Sequence, residues 1–306
     1  MAKVIFGNHL AVVVPRRHQR EVMPLKTLSR FLALLLLGLG AARGVAAGEE
    51  FKSLRVYALD GGIISAKDIG FLSDTGDYDG KPGTFADPVF VIRHPKGTLV
   101  WDTGMGDKMA EAGAKGLDDP ASGAHIVVAS TLVDQLKVIG LAPADVTHVA
   151  FSHFHFDHTG NANLFGSATW ILNKAELAWA QTNPGPFVNM DTISAYKTAK
   201  TQMIDGDYDV FGDGSVRILK TPGHTPGHQS LEVKLKKSVV LLSGDLYHQQ
   251  QSRRLRLVPL FNTGRADTLA SIDRIERIAN NTKARVVVQH DLRDFKSLPK
   301  APAYLE

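Results

Sequence analysis

The sequence contains no cysteine. This absence excludes a disulfide framework, a cysteine-ligated zinc or iron–sulfur site and a thiol nucleophile, so a transition-metal site must be built from histidine and carboxylate side chains. Long hydrophobic runs are missing as well, because the apolar run Phe31–Leu39 is too short for a membrane-spanning helix, which needs about 20 residues. With 44% hydrophobic and 22% charged residues, the 306-residue composition is that of a globular protein.

The excess of positive charge is confined to the amino terminus. The formal net charge is +4, but the first 47 residues hold seven Lys or Arg residues and a single acid, Glu21. The rest of the chain has 28 basic and 30 acidic residues, a net charge of −2. A near-neutral body gives no electrostatic argument for nucleic-acid binding, so we expect no nucleic-acid partner.

Residues 1–47 have the three-part pattern of a secretory signal peptide. Lys26 and Arg30 precede the apolar run, and small residues follow it up to a Val-x-Ala pattern ending at Ala47. We predict cleavage after about Ala47, export to a bacterial periplasm, and no stable membrane insertion afterwards. Met23 is an alternative start of translation, and an uncleaved anchor or a buried amino-terminal helix is the alternative structure.

Residues 48–306 are predicted to form a single α/β or α+β layered domain with mixed sheets, because strands and helices are interspersed. Two stretches rich in Gly and Asp, Asp60–Pro88 and Gly104–Ala129, are predicted to be irregular. Helices are predicted after a Ser130/Thr131 cap, over Asn173–Gln181, after Asp191 and after a cap at Asp267. Nine apolar runs are predicted as strands: Leu54–Leu59, Val89–His94, Thr98–Trp101, Val146–Phe151, Ala168–Leu172, Val216–Lys220, Ser230–Leu235, Val239–Ser243 and Arg285–Gln289.

The most informative segment follows the strand predicted over Val146–Phe151. It places four potential metal ligands, His153, His155, Asp157 and His158, within six residues. Side chains two apart point the same way along an extended chain, so His153 and His155 can bind one ion together. Asp157 and His158 lie beyond the turn and can face a second ion. Without a metal, burying this many imidazoles would leave costly unpaired polar groups.

Further candidate ligands follow later strands. His224 and His228 lie in the Gly- and Pro-rich turn after Val216–Lys220, Asp245 follows an apolar strand, and His290 follows the last strand. Each candidate lies at the carboxyl end of a predicted strand, where loops gather to form a site.

This order and spacing resemble the metal-binding signature of the metallo-β-lactamase superfamily. The resemblance implies an αβ/βα sandwich of two mixed β-sheets flanked by helices, with a dinuclear site at one edge. It implies two divalent ions, zinc first, with cobalt, manganese or iron as alternatives. The implied first-ion ligands are His153, His155 and His228. The implied second-ion ligands are Asp157, His158 and His290, with Asp245 as the bridge. Two supporting residues are implied: His224 orients its loop, and Asp102 accepts the remaining N–H of a metal-bound imidazole.

Local details resemble the N-acyl-homoserine lactonase group within that superfamily, namely Asp60-Gly61-Gly62, Trp101-Asp102-Thr103-Gly104, His158-Thr159-Gly160-Asn161 and Gly244-Asp245-Leu246-Tyr247. The implied reaction is attack of a metal-bridging hydroxide on a lactone carbonyl, with Tyr247 or His248 as a donor to the carbonyl oxygen. Asp157 or a water then protonates the leaving alkoxide. Bacterial members of the group place a Tyr three residues after the bridging Asp, whereas this chain has His248 there and Tyr247 one residue earlier.

An acyl-homoserine lactone has an apolar tail, and two segments are predicted to supply its wall, unless they form core or a homodimer contact. They are Ile63, Ile64, Ile69, Phe71, Leu72 and Phe85, and Leu246, Leu255, Leu257, Val258, Leu260 and Phe261. The alternatives are another hydrolase with the same site, a glyoxalase II-like thioesterase, an arylesterase or a phosphodiesterase, and a non-catalytic metal-binding protein. The basic run Arg253, Arg254 and Arg256 would matter for an acidic substrate.

Overall fold

Two β-sheets pack against each other, with helices on the outer face of each. The structure is a computed structural model, and it describes residues 53–119, 123–185 and 187–306. The signal-peptide prediction falls outside the described residues, so the boundary after Ala47 stays a prediction. No helix among these residues is both long and apolar enough to cross a membrane.

Thirteen strands form the two sheets among the described residues. They are β1 (Arg55–Ala66), β2 (Gly83–His94), β3 (Gly97–Trp101), β4 (Leu117–Asp119), β5 (Ala124–Val127), β6 (His148–Ala150), β7 (Thr169–Asn173), β8 (Lys200–Ile204), β9 (Tyr208–Asp209), β10 (Val216–Lys220), β11 (Gln229–Lys234), β12 (Val239–Leu242) and β13 (Arg285–Val287).

Helices connect the strands. The α-helices are α1 (Leu132–Val138), α2 (Phe156–Thr159), α3 (Lys174–Thr182), α4 (Gln250–Leu255), α5 (Arg265–Thr282) and α6 (Leu292–Ser297). Short 3-10 helices cover Gly70–Leu72, Asp107–Lys115, Pro143–Asp145, Ala162–Phe165, Ser194–Lys197 and Gly244–Leu246.

Both sheets are mixed. The larger has the order β4-β5-β1-β2-β3-β6-β7-β8, and the smaller has the order β13-β12-β11-β10-β9. Strands β3, β6, β7 and β8 run parallel, as do β12 and β13, and the remaining pairs are antiparallel. The predicted sandwich of two mixed sheets flanked by helices is confirmed.

Three apolar layers hold the sandwich together. The layer between the sheets joins residues such as Phe90 and Trp101 of the larger sheet to Ile218 and Leu231 of the smaller. Helices α1 and α3 cover the outer face of the larger sheet, and α5 covers that of the smaller. Successive residues of a strand face opposite sides of the sheet, so one strand can contribute side chains to two of these layers.

The nine predicted strands are all present, but the irregular stretches were predicted too long. The first, Asp60–Pro88, contains the second half of β1 and the start of β2, and the second contains β4 and β5. The strand was predicted to end at Leu59, yet β1 continues through a register shift between Asp60 and Ile63, and Gly62 there has a φ of 146°.

Helix predictions differ at the ends. Thr131 caps α1 by accepting a hydrogen bond from the Asp134 N–H, as predicted. Helix α5 begins after Gly264 rather than at an Asp267 cap, and Asp267 lies in its first turn, where a negative charge favours the helix dipole. The helix predicted after Asp191 is a single 3-10 turn, Ser194–Lys197.

Candidate metal centre

The candidate ligands meet at one edge of the sandwich, where strands from both sheets end. His153 and His155 follow β6, and the short helix α2 carries Asp157 and His158. The turn after β10 brings in His224. Asp245 and His290 follow β12 and β13, which are parallel neighbours and so end at the same edge.

Three imidazoles form the first ligand group. His155 Nδ1 lies 2.9 Å from His153 Nε2 and 3.1 Å from His224 Nε2, and the last two atoms are 3.2 Å apart. Nitrogens that share a tetrahedral zinc lie about 3.3 Å apart, given a Zn–N bond of about 2.0–2.1 Å. The three atoms therefore have the spacing of ligands to one ion, and Asp245 is close enough to complete the group.

Asp157, His158 and His290 form the second ligand group. Asp157 Oδ2 lies 3.8 Å from His158 Nε2 and 3.7 Å from His290 Nε2. Asp245 lies between the groups: its Oδ1 is 3.2 Å from His158 Nε2 and 2.9 Å from His290 Nε2, and its Oδ2 is 3.4 Å from His224 Nε2. The two carboxylate oxygens thus face different groups, which is the position predicted for a bridge.

Burial keeps the first group neutral. It lowers the pKa of His155 to about 4 and holds the pKa of His153 and His224 well below the usual histidine range, because desolvation disfavours the charged ring. Neutral imidazoles keep a lone pair on the nitrogen that faces the cluster, and this is the form that binds a metal.

The second group has the opposite electrostatics. Burial would lower the pKa of both histidines, but the carboxylates outweigh it. Asp245, Asp157 and Asp102 hold the pKa of His158 well above its usual value. Asp245 and Asp157 raise that of His290 to about 9. In return, His290, His158 and His248 hold the Asp245 pKa well below its usual value despite burial. These negative charges favour a cation between the residues.

Two orphaned atoms show that a metal fits here. His158 Nε2 and Asp245 Oδ1 are buried and have no hydrogen-bond partner among the described residues. Buried polar atoms without partners are costly, and a cation bound between them would satisfy both. The donors are imidazole nitrogens and carboxylate oxygens, a set suited to zinc and its neighbours in the first transition row.

The structure reverses the predicted roles of His224 and His228. His228 Nδ1 donates to the Thr221 carbonyl at 2.9 Å, and His228 Nε2 accepts a 2.9 Å hydrogen bond from the Asp245 N–H. With both ring nitrogens occupied by main-chain partners, His228 has no lone pair for a metal. The prediction of His228 as a ligand and of His224 as a loop-orienting residue is therefore wrong: His224 joins the ligand group, and His228 holds the backbone of the bridging residue.

Hydrogen bonds fix the orientation of the other rings. Asp102 Oδ2 lies 3.1 Å from His158 Nδ1, as predicted, and Asp102 Oδ1 accepts from the Ser152 N–H. His290 Nδ1 donates to the Ala86 carbonyl at 2.8 Å, and His224 Nδ1 lies 2.9 Å from Asn262 Oδ1. Each contact occupies one ring nitrogen and leaves the other for the cluster.

Tyr247 and His248 point to opposite sides of the chain. The Tyr247 ring is 1% exposed and packs against α5, where its hydroxyl donates to Glu276 Oε1 at 2.8 Å. The prediction that Tyr247 takes part in catalysis is therefore wrong, because its hydroxyl cannot reach the cluster. His248 lines the cavity above the cluster, and its Nε2 lies 3.1 Å from Asp245 Oδ2.

A cavity of about 170 Å³, open to solvent, leads to both ligand groups. Its floor contains His155, Asp157, Asp245, His248 and His290. Apart from Asp119, its walls are apolar: Ile64, Ala66, Phe71, Leu72, Phe85, Ala124, Ile126, Phe156, Phe187 and Phe261. The first predicted wall segment contributes four of these residues, whereas the second contributes Phe261.

The family model of the metallo-beta-lactamase superfamily matches residues 83–290, more than half of the chain. The chain belongs to the metallo-β-lactamase superfamily. Its relatives in the superfamily include proteins named N-acyl homoserine lactonase AttM. The one from Azorhizobium caulinodans is 31% identical over 271 residues, which cover 83% of this chain and 99% of the relative. The one from Rhizobium radiobacter is 32% identical over 269 residues, which cover 82% and 98%.

Solved structures of superfamily members agree with the fold. An N-acyl homoserine lactone hydrolase with N-hexanoyl-L-homoserine, its product, bound at the catalytic metal centre matches with a TM-score of 0.70 and 25% identity. The match covers 83% of this chain and all (100%) of that one. AidC, a dizinc quorum-quenching lactonase, matches with a TM-score of 0.60 and 18% identity over 83% of this chain and 94% of that one, which supports the fold alone. The predicted resemblance is confirmed.

Sequence analysis missed one residue that supports this superfamily site. Glu176, 1% exposed in α3, accepts hydrogen bonds of 2.9 Å from the N–H groups of Phe154 and Gly227. Phe154 lies between His153 and His155, and Gly227 belongs to the turn that carries His224. Glu176 thus ties together the two loops of the first ligand group. The signal available was an acid in the first turn of a predicted helix, which is too common to single out.

Proposed function

We propose that this chain is a dinuclear metal-dependent hydrolase that opens the lactone ring of N-acyl homoserine lactones. The observation that carries the proposal is the apolar cavity that ends on two adjoining ligand groups bridged by Asp245. The names of the relatives agree with this activity. An ester with a small polar head and an apolar tail matches a cavity with an ionic floor and apolar walls.

His153, His155 and His224 would hold one ion, and Asp157, His158 and His290 would hold a second. Asp245 would contribute to both. Divalent ions bound there, with zinc as the first candidate, supply Lewis acidity that polarises an ester carbonyl and lowers the pKa of water towards neutrality.

The chain's own residues orient the substrate and move its protons. We assign His248 to the lactone carbonyl oxygen, to which its ring N–H donates a hydrogen bond as negative charge develops. Asp157, whose side chain is 13% exposed at the cavity floor, takes up the proton that the attacking water loses and passes it to the ring oxygen as it leaves. Phe187 and Phe261, whose rings are 5.2 Å apart, pack beside His155 and keep water from that side of the floor.

The apolar walls bind the acyl tail. Phe71, Phe85 and Ile126 belong to three different elements and all line the same cavity, so a tail entering it leaves water on several sides. Each buried CH₂ contributes about 0.8 kcal/mol, which corresponds to about a fourfold change in binding. Tail length is therefore expected to affect kcat/KM strongly.

A phosphodiesterase is the less favoured alternative, because its anionic substrate needs free cations near the ions. Arg253 pairs with Glu276 at 2.7 Å, and Arg256 pairs with Asp273 at 2.5 Å, both on α5. Neither arginine lines the cavity. A thioesterase or arylesterase shares the same ester chemistry and is distinguished by substrate alone.

A substrate panel tests the proposal. Zinc-loaded protein is expected to open N-acyl homoserine lactones, followed as proton release, with kcat/KM rising by up to about fourfold for each CH₂ that enters the cavity. A thioester, a nitrophenyl acetate and a nitrophenyl phosphodiester are the comparison substrates. Equal or faster turnover of one of these, without lactone opening, would assign the site to that alternative.

We also propose that the protein is exported to the periplasm, on the strength of the leader pattern in residues 1–47. Fractionation of the producing bacterium, with amino-terminal sequencing of the recovered protein, tests this. A mature terminus near residue 48 in the periplasmic fraction is the expected result, and a cytoplasmic protein that retains the leader would contradict it.

A further inference from the structure

Asp87 is a buried carboxylate that the proposed mechanism does not use. It lies in β2 and is 1% exposed. Both of its side-chain oxygens are buried and have no hydrogen-bond partner among the described residues. A buried carboxylate without a partner costs free energy, whether it stays ionised or takes up a proton. Some feature of the functional protein must therefore offset this cost.

The surroundings of Asp87 are those of the second ligand group. The preceding residue, Ala86, accepts the hydrogen bond of His290 Nδ1, and its own N–H donates to the His290 carbonyl at 3.2 Å. The charged groups that interact with the Asp87 carboxylate are Asp157, His158, His290 and Asp102. Three of these four are the members of the second group.

The local charge balance calls for cations. Four carboxylates face the cluster, and all are buried or nearly so: Asp87, Asp102, Asp157 and Asp245. When ionised, the four carboxylates together match the charge of two divalent ions. Burial raises the pKa of Asp87 well above its usual value, so its carboxylate is charged only when nearby cations offset the cost of burial. Without Asp87, the carboxylates fall one charge short of the two ions.

We propose that Asp87 is a positioning residue for the second ion, which it holds against Asp157, His158 and His290 by its charge without being a ligand. This inference rests on the proposed metal centre and is independent of the lactone as substrate. This role also explains why the Asp87 oxygens have no hydrogen-bond partner, because attraction to the ion offsets the cost of burying the carboxylate.

Asp87→Asn tests the inference, since asparagine has nearly the same shape without the charge. Zinc binding is measured by competition with a chromophoric chelator, and the wild type is expected to bind two ions per chain. In Asp87→Asn one affinity is expected to fall by about 10- to 100-fold while the other is unchanged. The ion that binds more weakly should be the one that His290→Ala abolishes. The ion whose affinity is unchanged should be the one that His224→Ala abolishes.

Thermal unfolding of the metal-free protein is the second readout. Burial raises the pKa of Asp87 well above its usual value, and asparagine cannot ionise at all. The Tm of the metal-free variant is therefore expected to equal or exceed that of metal-free wild type, because the variant never has to bury an unpaired charge. If Asp87 had only a structural role, Asp87→Asn would lower this Tm. The matched control is Asp60→Asn, on the neighbouring strand, whose carboxylate accepts a 3.0 Å hydrogen bond from the Gly62 N–H and should leave both zinc affinities unchanged.

The outcomes separate the inference from the proposed function. Unchanged zinc affinities in Asp87→Asn, an equal loss of both, or a lower metal-free Tm would each overturn the inference. A wild type that binds fewer than two ions would overturn the metal centre and the inference together. Selective loss of the second ion in a protein that opens no lactone would support the inference and refute only the substrate.

Discussion

The two ligand groups of this centre are prepared for a cation in different ways. In the first, burial keeps three imidazoles neutral with their lone pairs directed at one point, so an ion meets ligands that are already deprotonated. In the second, carboxylates raise the pKa of His158 and His290, so an ion must displace protons as it binds. One centre thus uses desolvation on one side and negative charge on the other.

The supports of the two groups differ in the same way. Glu176 joins the loops of the first group through backbone N–H groups, so it fixes positions without adding charge next to the ligands. Asp102 contacts His158 directly, so it both orients the ring and adds negative charge. Among the variants below, His224→Ala should therefore affect the first group alone, whereas Asp245→Asn should affect both because Asp245 belongs to both. Equal loss of both ions in His224→Ala would contradict the comparison.

The largest effect is expected from Asp245→Asn, because Asp245 belongs to both groups. The amide keeps the shape but offers one oxygen instead of two, so both ions should bind more weakly. Lactone opening is expected to fall at least about 1,000-fold, equivalent to about 4 kcal/mol of lost transition-state stabilisation. Metal analysis of the folded variant checks the cause, and full activity with two ions bound would show that Asp245 is not the bridge.

The next effect distinguishes the two histidines of the Pro-Gly turn. His224→Ala should lose the first ion and keep the second, with an activity loss of about 100-fold or more. His228→Ala should retain both ions, although the lost main-chain hydrogen bonds cost about 1–3 kcal/mol of stability. Metal content and chemical denaturation measure the two effects, and loss of an ion in His228→Ala alone would restore the roles predicted from sequence.

A smaller effect is expected at the cavity floor. His248→Ala should reduce kcat by about 100-fold with both ions retained, if its N–H stabilises the developing charge on the carbonyl oxygen. Tyr247→Phe is the matched control on the neighbouring residue. It removes the hydrogen bond to Glu276, about 1 kcal/mol of stability, and should leave kcat close to wild type. Equal losses of kcat in the two variants would contradict the assignment.

The smallest effect concerns the pH dependence of stability through Glu176. Burial raises the pKa of Glu176 to about 7, against a usual value of 4.5, even though its hydrogen bonds lower it. The folded state then holds a proton that the unfolded chain releases. This contribution to stability is full below pH 4.5 and is lost as the pH rises through 7.

Comparison with Glu176→Gln isolates that contribution. Between pH 4.5 and 7 the wild type should lose free energy of unfolding relative to the variant, by at most about 1.4 kcal/mol per pH unit. Denaturant titrations of both metal-free proteins at several pH values measure the difference. Parallel curves would mean that Glu176 is ionised throughout this range.

Nine of the 13 strands and most of the ligands could be predicted from the sequence, because both depend on local patterns. The nine apolar runs match strands, and His153, His155, Asp157 and His158 lie within one short segment. The two histidines of the next turn could not be told apart, since both are flanked by Pro-Gly and only the path of the turn decides which ring enters the cluster. His228 is placed by its bonds to Thr221 and Asp245, a contact 17 residues away in sequence.

Side-chain direction limited the remaining predictions. Tyr247 and His248 are adjacent, so their side chains leave the chain on different sides, and packing of Tyr247 against α5 could not be foreseen from either residue. Asp87 did carry a signal, because it is an acid within the otherwise apolar sequence Phe85–Ile92. An acid in such a segment is either exposed or buried near a positive charge, and the sequence alone does not show which.

The hydrogen bond from the Asp245 N–H to His228 has a consequence for how the protein handles its ions. It anchors the main chain of the shared ligand to a ring that never contacts a metal, so this anchor persists when the ions leave. Chelated protein should therefore keep its architecture and accept cobalt or manganese in place of zinc without refolding. The same purified batch can then be recharged with one metal after another, and turnover compared between them.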